Sequence, residues 1–304
     1  MCRSISLVAE GRKNLSILRT ENLTYIYGKD TPFEKKAVDS VSLTIEKGGI
    51  TGIIGHTGSG KSTLIQHFNG LLKPSEGKIF FDEKDIWEGG KIMQGLRFRA
   101  GIVFQYPEYQ IFEETVFKDI AYGPGNMKLD KKEITERVLE AASILGISRD
   151  ILERSPFELS GGQKRRVAIA GVIAMRPELL ILDEPAAGLD PRGRKEVFEI
   201  IKKYSQDSSR TVLIVSHSME DMAAYADNII VMNEGKLFCH DTVSAVYSRS
   251  EEIASMGLDV PQITKVFSLL KKQGIDFDDN IYTVEYARDK ILQYLNNGGD
   301  KVSC

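Results

Sequence analysis

The chain has 304 residues, 42% hydrophobic and 27% charged, and its 40 Lys and Arg nearly balance its 43 Asp and Glu, for a formal net charge of -3. That length suits one large domain plus a smaller one, and nothing in the charge balance suggests wholesale nucleic-acid binding. Cys2, Cys239 and Cys304 have neither the density of a disulfide framework nor metal-ligand spacing, which fits a reducing cytoplasm.

Residues 1–16 carry one early Arg and a short apolar patch (Ile5, Leu7, Val8, Ala9), too little for a secretory signal, and are expected to be a disordered start or an extra segment. From Ile17 to Ile45 the pattern is short, β-branched and punctuated, which predicts antiparallel strands. GGITGIIG then reads as a buried strand ending at Gly55, and HTGSGKSTLIQHFNG as a loop opening into a helix. Residues 77–87 and 99–105 predict further strands. Periodicity over 115–175 is mostly helical, so a helical subdomain over about 106–175 interrupts the core.

The core resumes with LLILDEP at 179–185, a helix from about Pro191 to Tyr204, an apolar strand at 211–216, a helix through Tyr225, and the hairpin-like NIIVMNEGKLFC. Strands alternating with helices predict an α/β fold with a mostly parallel, covered sheet. The main domain is expected over 17–240. The change of texture to short helices around Pro261 sets off 241–304 as a small accessory domain, with Gly298-Gly299 letting the last residues fray. No stretch approaches the roughly 20 apolar residues of a transmembrane helix, so the chain is expected to be soluble by itself.

Gly55-His56-Thr57-Gly58-Ser59-Gly60-Lys61-Ser62 matches G-x-x-x-x-G-K-[ST] between a predicted strand and a predicted helix, the context that gives this motif meaning. Glycines let backbone N–H groups turn inward around a phosphate, the helix start adds positive dipole, Lys61 neutralises β/γ oxygens and Ser62 is available to Mg²⁺. Thr63 comes next on the helix and joins the nucleotide-binding set, while His56 and Thr57 fill variable positions. Asp183 and Glu184 end an apolar strand, where open α/β sheets place their ligands. Asp183 is placed to hold Mg²⁺ through water; Glu184, one residue on, could polarise the attacking water or accept its proton. Ser160-Gly161-Gly162-Gln163 opens a helix whose first N–H groups are expected to be free, a second anion-binding helix start in one chain. Tyr27 is the first choice for an aromatic that stacks a base, Phe33 the second, and core packing is the alternative reading of Tyr27.

LSGGQKRRVAIA, lying between the phosphate loop and LLILDEP, resembles the signature motif of the ATP-binding cassette (ABC) ATPases. The resemblance implies that Ser160 to Gln163 bind the γ-phosphate of ATP held by a partner subunit, so that two subunits sandwich two nucleotides head to tail. It further implies that Gln105 is the glutamine touching Mg²⁺ and water and sensing a membrane partner. Asp190, in Ala187-Gly188-Leu189-Asp190, would cross the dimer seam, and His217 would contact the γ-phosphate. A lone His after a strand is otherwise more often a capping or turn residue.

Within that family, GHTGSGKSTLIQHFNGLLKPSEG, FQYPEYQIFEETVFKDIAYGP and the segment from Leu159 to Pro191 resemble the ATPases of energy-coupling factor (ECF) importers. YPEYQIFEETV is closer to the second of that group's two A-type subunits. The resemblance implies an ATP-hydrolysing subunit at the cytoplasmic face of the membrane. Its expected partners are a second, related ATPase, a transmembrane coupling protein and a substrate-capturing membrane protein, and its expected cargo is vitamins or related micronutrients. Ala186 departs from the expected Thr, removing a hydroxyl but no charged ligand. A cobalt/nickel-type importer ATPase is an alternative, as is an ABC ATPase acting on DNA or ribosomes. The short spacing from Lys61 to Ser160 and the lack of zinc-spaced cysteines oppose the second of these.

Overall fold

The computed structural model describes residues 16–275, 277 and 281–296. The expectations for residues 1–15, Cys304 and Gly298-Gly299 lie outside the described residues. Two sheets organise the chain. The smaller is antiparallel, built from β1 (Ser16–Tyr27), β2 (Lys35–Glu46), β4 (Glu76–Phe81) and β5 (Lys84–Asp85) in the order β2-β1-β4-β5. The run 77–87 is thus a hairpin and not one strand: Asp82 and Glu83 take φ of 51° and 61°, left-handed values that reverse the chain at once.

The larger sheet has six strands in the order β10-β9-β3-β8-β7-β6. They are β3 (Ile50–Ile54), β6 (Ala100–Val103), β7 (Leu179–Asp183), β8 (Thr211–Val215), β9 (Asn228–Asn233) and β10 (Lys236–Thr242). All pair in parallel except β10, which returns antiparallel on β9. Residues 99–105 yield a strand of four residues only, because the preceding stretch forms a helix, α2 (Gly90–Arg99), that the sequence pattern does not predict. Three glycines, Gly89, Gly90 and Gly95, blur its helical signal, yet Leu96 is buried and Met93 packs beside it.

β3, β7 and β8 are buried along their whole length, and the two-residue period sends alternate side chains to opposite faces. Leu179, Ile181, Leu213, Val215 and Ile53 meet the antiparallel sheet and α1 (Lys61–Phe68). Leu180, Leu182, Val212, Ile214 and Ile54 face the other core. That second core also takes residues from α3 (Val116–Asn126), α4 (Lys131–Ile144), α5 (Arg149–Leu152), α6 (Gly161–Ile173), α7 (Pro191–Ser205) and α8 (Met219–Tyr225). Each such Leu, Ile or Val contributes roughly 1.5–3 kcal/mol when fully buried.

The same core continues into α9 (Val243–Tyr247) and α10 (Ser250–Ser255), ending at Val260; Tyr247 is fully buried and its hydroxyl donates to the Met219 carbonyl at 3.0 Å. α11 (Gln262–Lys272) and α12 (Val284–Asn296) form a separate small cluster around Phe267, Ile281 and Ala287. Among the described residues no helix is long and apolar enough to cross a membrane.

Candidate functional site

Parallel pairing brings the carboxyl ends of β3, β8, β7 and β6 side by side at one sheet edge, with Ile53 and Asp183 both in register with Val215. The segments leaving those strands must therefore meet there. After β3 comes the glycine-rich loop, after β8 His217, after β7 Glu184, and after β6 Gln105. A cleft of about 320 Å³ is lined by Tyr27, Thr57, Gly58, Gly60, Lys61, Ser62, Thr63, Gln105, Asp183, Glu184 and His217, so most of the predicted set converges.

Gly60 turns the loop into α1 at φ 97°, and a Cβ there would collide with the Ala37 carbonyl oxygen. Only glycine supplies both the backbone angle and the close approach. The buried Lys61 ammonium donates to the carbonyls of Gly55 at 2.6 Å and His56 at 3.0 Å. Burial pushes its pKa below the usual lysine range, against the pull of Glu184 and Asp183. Ser59 is buried beneath the loop with its hydroxyl unpartnered. His56 turns aside, its ring nitrogens lying 2.8 Å from the Thr57 carbonyl and 3.2 Å from Asn233 Oδ1, as befits a spacer position.

Burial raises the Asp183 carboxyl, while a hydrogen bond from Ser62 and the charge of Lys61 oppose the shift. Glu184 is pushed up to about 7, first by burial and then by the neighbouring Asp183 charge. It holds a left-handed φ of 52°, and its amide donates to the Val215 carbonyl at 3.0 Å. His217 Nε2 lies 3.3 Å from Glu184 Oε1, yet that oxygen accepts no hydrogen bond. Burial, then the Lys61 charge, holds the His217 imidazole below its usual pKa. A carboxylate with a pKa near neutrality, beside a cation and a neutral imidazole, is equipped to take a proton from water at pH 7.

Tyr27 is 42% exposed, lines the cleft, and has its hydroxyl 3.3 Å from Thr63 Oγ1, so it is not a core residue. Phe33, 88% exposed, does not line that cleft. Lys35 and Ala37 do, although no motif in the sequence marks them. Their place depends on strand pairing and on the close approach of β2 to Gly60 and Gly235, which no local pattern encodes.

Ser160 to Gln163 and Asp190 lie outside this cleft. The signature N–H groups are not all free, contrary to the expectation from the sequence. Ser160 Oγ accepts from the Gln163 amide at 3.4 Å and Gln163 Oε1 accepts from the Ser160 amide at 3.0 Å, closing a capping box. Gln three residues after Ser is the signal for it. Asp190 caps α7, accepting from the Gly193 amide at 2.7 Å.

Residues 38–187 match the family described as ABC transporter. An energy-coupling factor transporter ATP-binding protein EcfA2 of Clostridium tetani is 50% identical over 281 residues, 92% of this chain and 98% of the relative. The EcfA2 of Caldanaerobacter subterraneus subsp. tengcongensis is 51% identical over 278 residues, 91% of this chain and 97% of the relative. Among solved structures, cbiO1 from Clostridium perfringens, described as part of the ABC transporter complex cbiONQ, superposes with a TM-score of 0.70 at 40% identity, covering 82% of this chain and 97% of that one. The ATP-binding cassette MJ0796, solved as a dimer bound to ADP and Pi, gives a TM-score of 0.66 at 26% identity, covering 74% and 98%.

Proposed function

The chain belongs to the ABC transporter family, among its energy-coupling factor transporter ATP-binding proteins, and from that membership we propose how its residues divide the work of ATP hydrolysis. The observation that carries the reading is the convergence of Lys61, Ser62, Asp183, Glu184, Gln105 and His217 on one cleft. Lys61 and the loop amides hold the β- and γ-phosphates. Tyr27 packs on the base, and Thr63 supports it through the hydroxyl contact. Glu184 accepts the proton of the attacking water, with His217 and Gln105 orienting that water and the γ-phosphate. The oxygens of Ser62, Asp183 and Gln105 suit Mg²⁺, a hard cation that keeps waters and phosphate oxygens among its ligands. When bound, the ion neutralises charge on the phosphate oxygens.

The placement of Ser160 to Gln163 away from the cleft supports a composite site, in which these residues and Asp190 of one subunit complete the nucleotide site of another. In this reading the chain pairs with a related ATPase on the cytoplasmic face of a membrane and drives a coupling protein and a substrate-capturing protein, taking up vitamins or related micronutrients. Purifying the chain from native membranes and identifying every bound protein tests this assembly. A related ATPase and a multi-spanning membrane protein are expected; recovery with DNA or ribosomes would overturn it.

Pairing has its own test. Ser160→Arg places a long cation where the partner's phosphate docks, and is expected to leave ATP affinity of the isolated chain intact while stopping hydrolysis at the partner's site. Mixed with Lys61→Ala copies, it should show no rescue if the chain pairs only with a different ATPase. Partial recovery of activity without any other ATPase would instead establish a homodimer.

The raised pKa of Glu184 sets a pH dependence. Below about 7 the carboxyl carries its own proton and cannot accept another, so kcat/KM is expected to climb between pH 6 and 8 with an apparent pKa near 7. Burial holds the His217 imidazole below its usual pKa, away from a limb near 7, so the limb should persist in His217→Gln. A flat profile would assign proton removal to another group.

A further inference from the structure

Arg165 stands in α6, two residues after Gln163, yet its side chain is only 3% exposed. Its guanidinium grips two other segments at once. Nε and Nη2 donate to the two carboxylate oxygens of Glu108 at 3.2 and 2.9 Å, a bidentate pair. Nη1 donates to the carbonyls of Ala187 at 2.6 Å and Pro185 at 3.3 Å. Glu108 belongs to the short turn Pro107–Gln110, three residues past Gln105. Pro185 and Ala187 belong to the turn that leaves Glu184 and leads to Asp190. One planar cation thus ties together the start of the signature helix, the segment after Gln105 and the backbone that sets the angle of Glu184.

We propose that the Arg165–Glu108 pair is a positioning strut that passes displacement of the Gln105–Gln110 segment to the Glu184–Asp190 turn without going through the nucleotide. The proposal rests on the transporter reading above, since it supposes that a membrane partner moves that segment. Two features make the pair suited to this. A buried guanidinium has rigid fork geometry, so its two ends cannot move independently, and a buried ion pair resists separation more strongly than an exposed one. Arg165 is not among the residues that line the cleft, and its hydrogen bonds run to Glu108, Pro185 and Ala187, which makes it a positioning residue and not a catalytic one.

The test uses the intact complex in proteoliposomes and the full-length chain alone. Glu108→Gln keeps the volume and one acceptor but loses the charge pair; Arg165→Lys keeps the charge but loses the fork. For both variants, membrane-partner stimulation of ATP turnover is expected to fall about tenfold, within the 5- to 150-fold range of ordinary coupling between sites. KM for ATP and the unstimulated rate of the chain alone should stay within about twofold, and the double variant should lose no more than either single one. Unchanged stimulation in both variants overturns the strut. So does a loss of thermal stability with a matching rise in KM, which marks a merely structural pair. If the parental complex itself shows no stimulation by the membrane partner, the transporter reading fails and not the strut alone.

Discussion

Lys61→Ala is expected to abolish both nucleotide binding and turnover. The ammonium is buried at the mouth of α1 with its donors on the Gly55 and His56 carbonyls, and it is the cleft's buried cation beside two acids, Asp183 and Glu184. Without it, the phosphates of ATP meet two carboxylates with only backbone dipoles to offset them. Truncating one partner of a buried, hydrogen-bonded charge pair costs about 2–5 kcal/mol, which is roughly 30- to 4,000-fold in Kd at 1.4 kcal/mol per decade. The fold should survive, because removing a desolvated ammonium offsets the loss of its two carbonyl bonds. Thermal unfolding separates these effects. The parent should gain about 2.7 kcal/mol at ATP a hundredfold above Kd, whereas the variant should gain no more than about 1 kcal/mol at the same ATP while melting near the parent's ligand-free temperature. A parental ATP shift together with parental turnover would overturn the role of Lys61.

The parts of this site that announce themselves in the sequence are those fixed by one strand and the turn after it. Lys61, Asp183 and Glu184 each sit within a few residues of an apolar run, so local pattern is enough to place them at a strand's carboxyl end. Parallel pairing then brings them together, and the alternation of strands and helices predicts that pairing. His217 and Gln105 are legible only through their order among other motifs, since a single His or Gln after a strand carries no signal of its own. Lys35 and Ala37 are not legible, because they reach the cleft through the pairing of β1 with β2 and the bend at Gly60. The same limit hides α2, where glycines weaken helical propensity and tertiary burial of Leu96 overrides them. Arg165 shows the converse: within LSGGQKRRVAIA it reads as one more surface cation, and only packing reveals that it is almost wholly enclosed.

Glu184→Gln is expected to bind ATP at least as tightly as the parent and to hydrolyse it about 10²- to 10⁴-fold more slowly, the usual worth of a positioned general base. The amide matches the carboxylate in volume and still accepts a hydrogen bond, so the backbone at φ 52° and the Val215 contact have no reason to change. Proton affinity and one negative charge disappear. The charge matters for binding: burial and then the Asp183 charge already disfavour the Glu184 carboxylate, and both acids would repel a polyanion, so neutralising one should lower the Kd for ATP. Tight binding without turnover is expected to hold this chain and the related ATPase together on their nucleotides, visible as co-elution of the two on gel filtration with ATP and not with ADP. Acid should reproduce the same condition in the parent, because a protonated Glu184 resembles glutamine in charge and shape. With a pKa near 7, parental turnover at pH 6 should lie about tenfold below its plateau, while the residual rate of Glu184→Gln should not vary over the same range. Turnover of the variant within threefold of the parent, or a residual rate that still rises with pH through 7, would move the base to another group in the cleft.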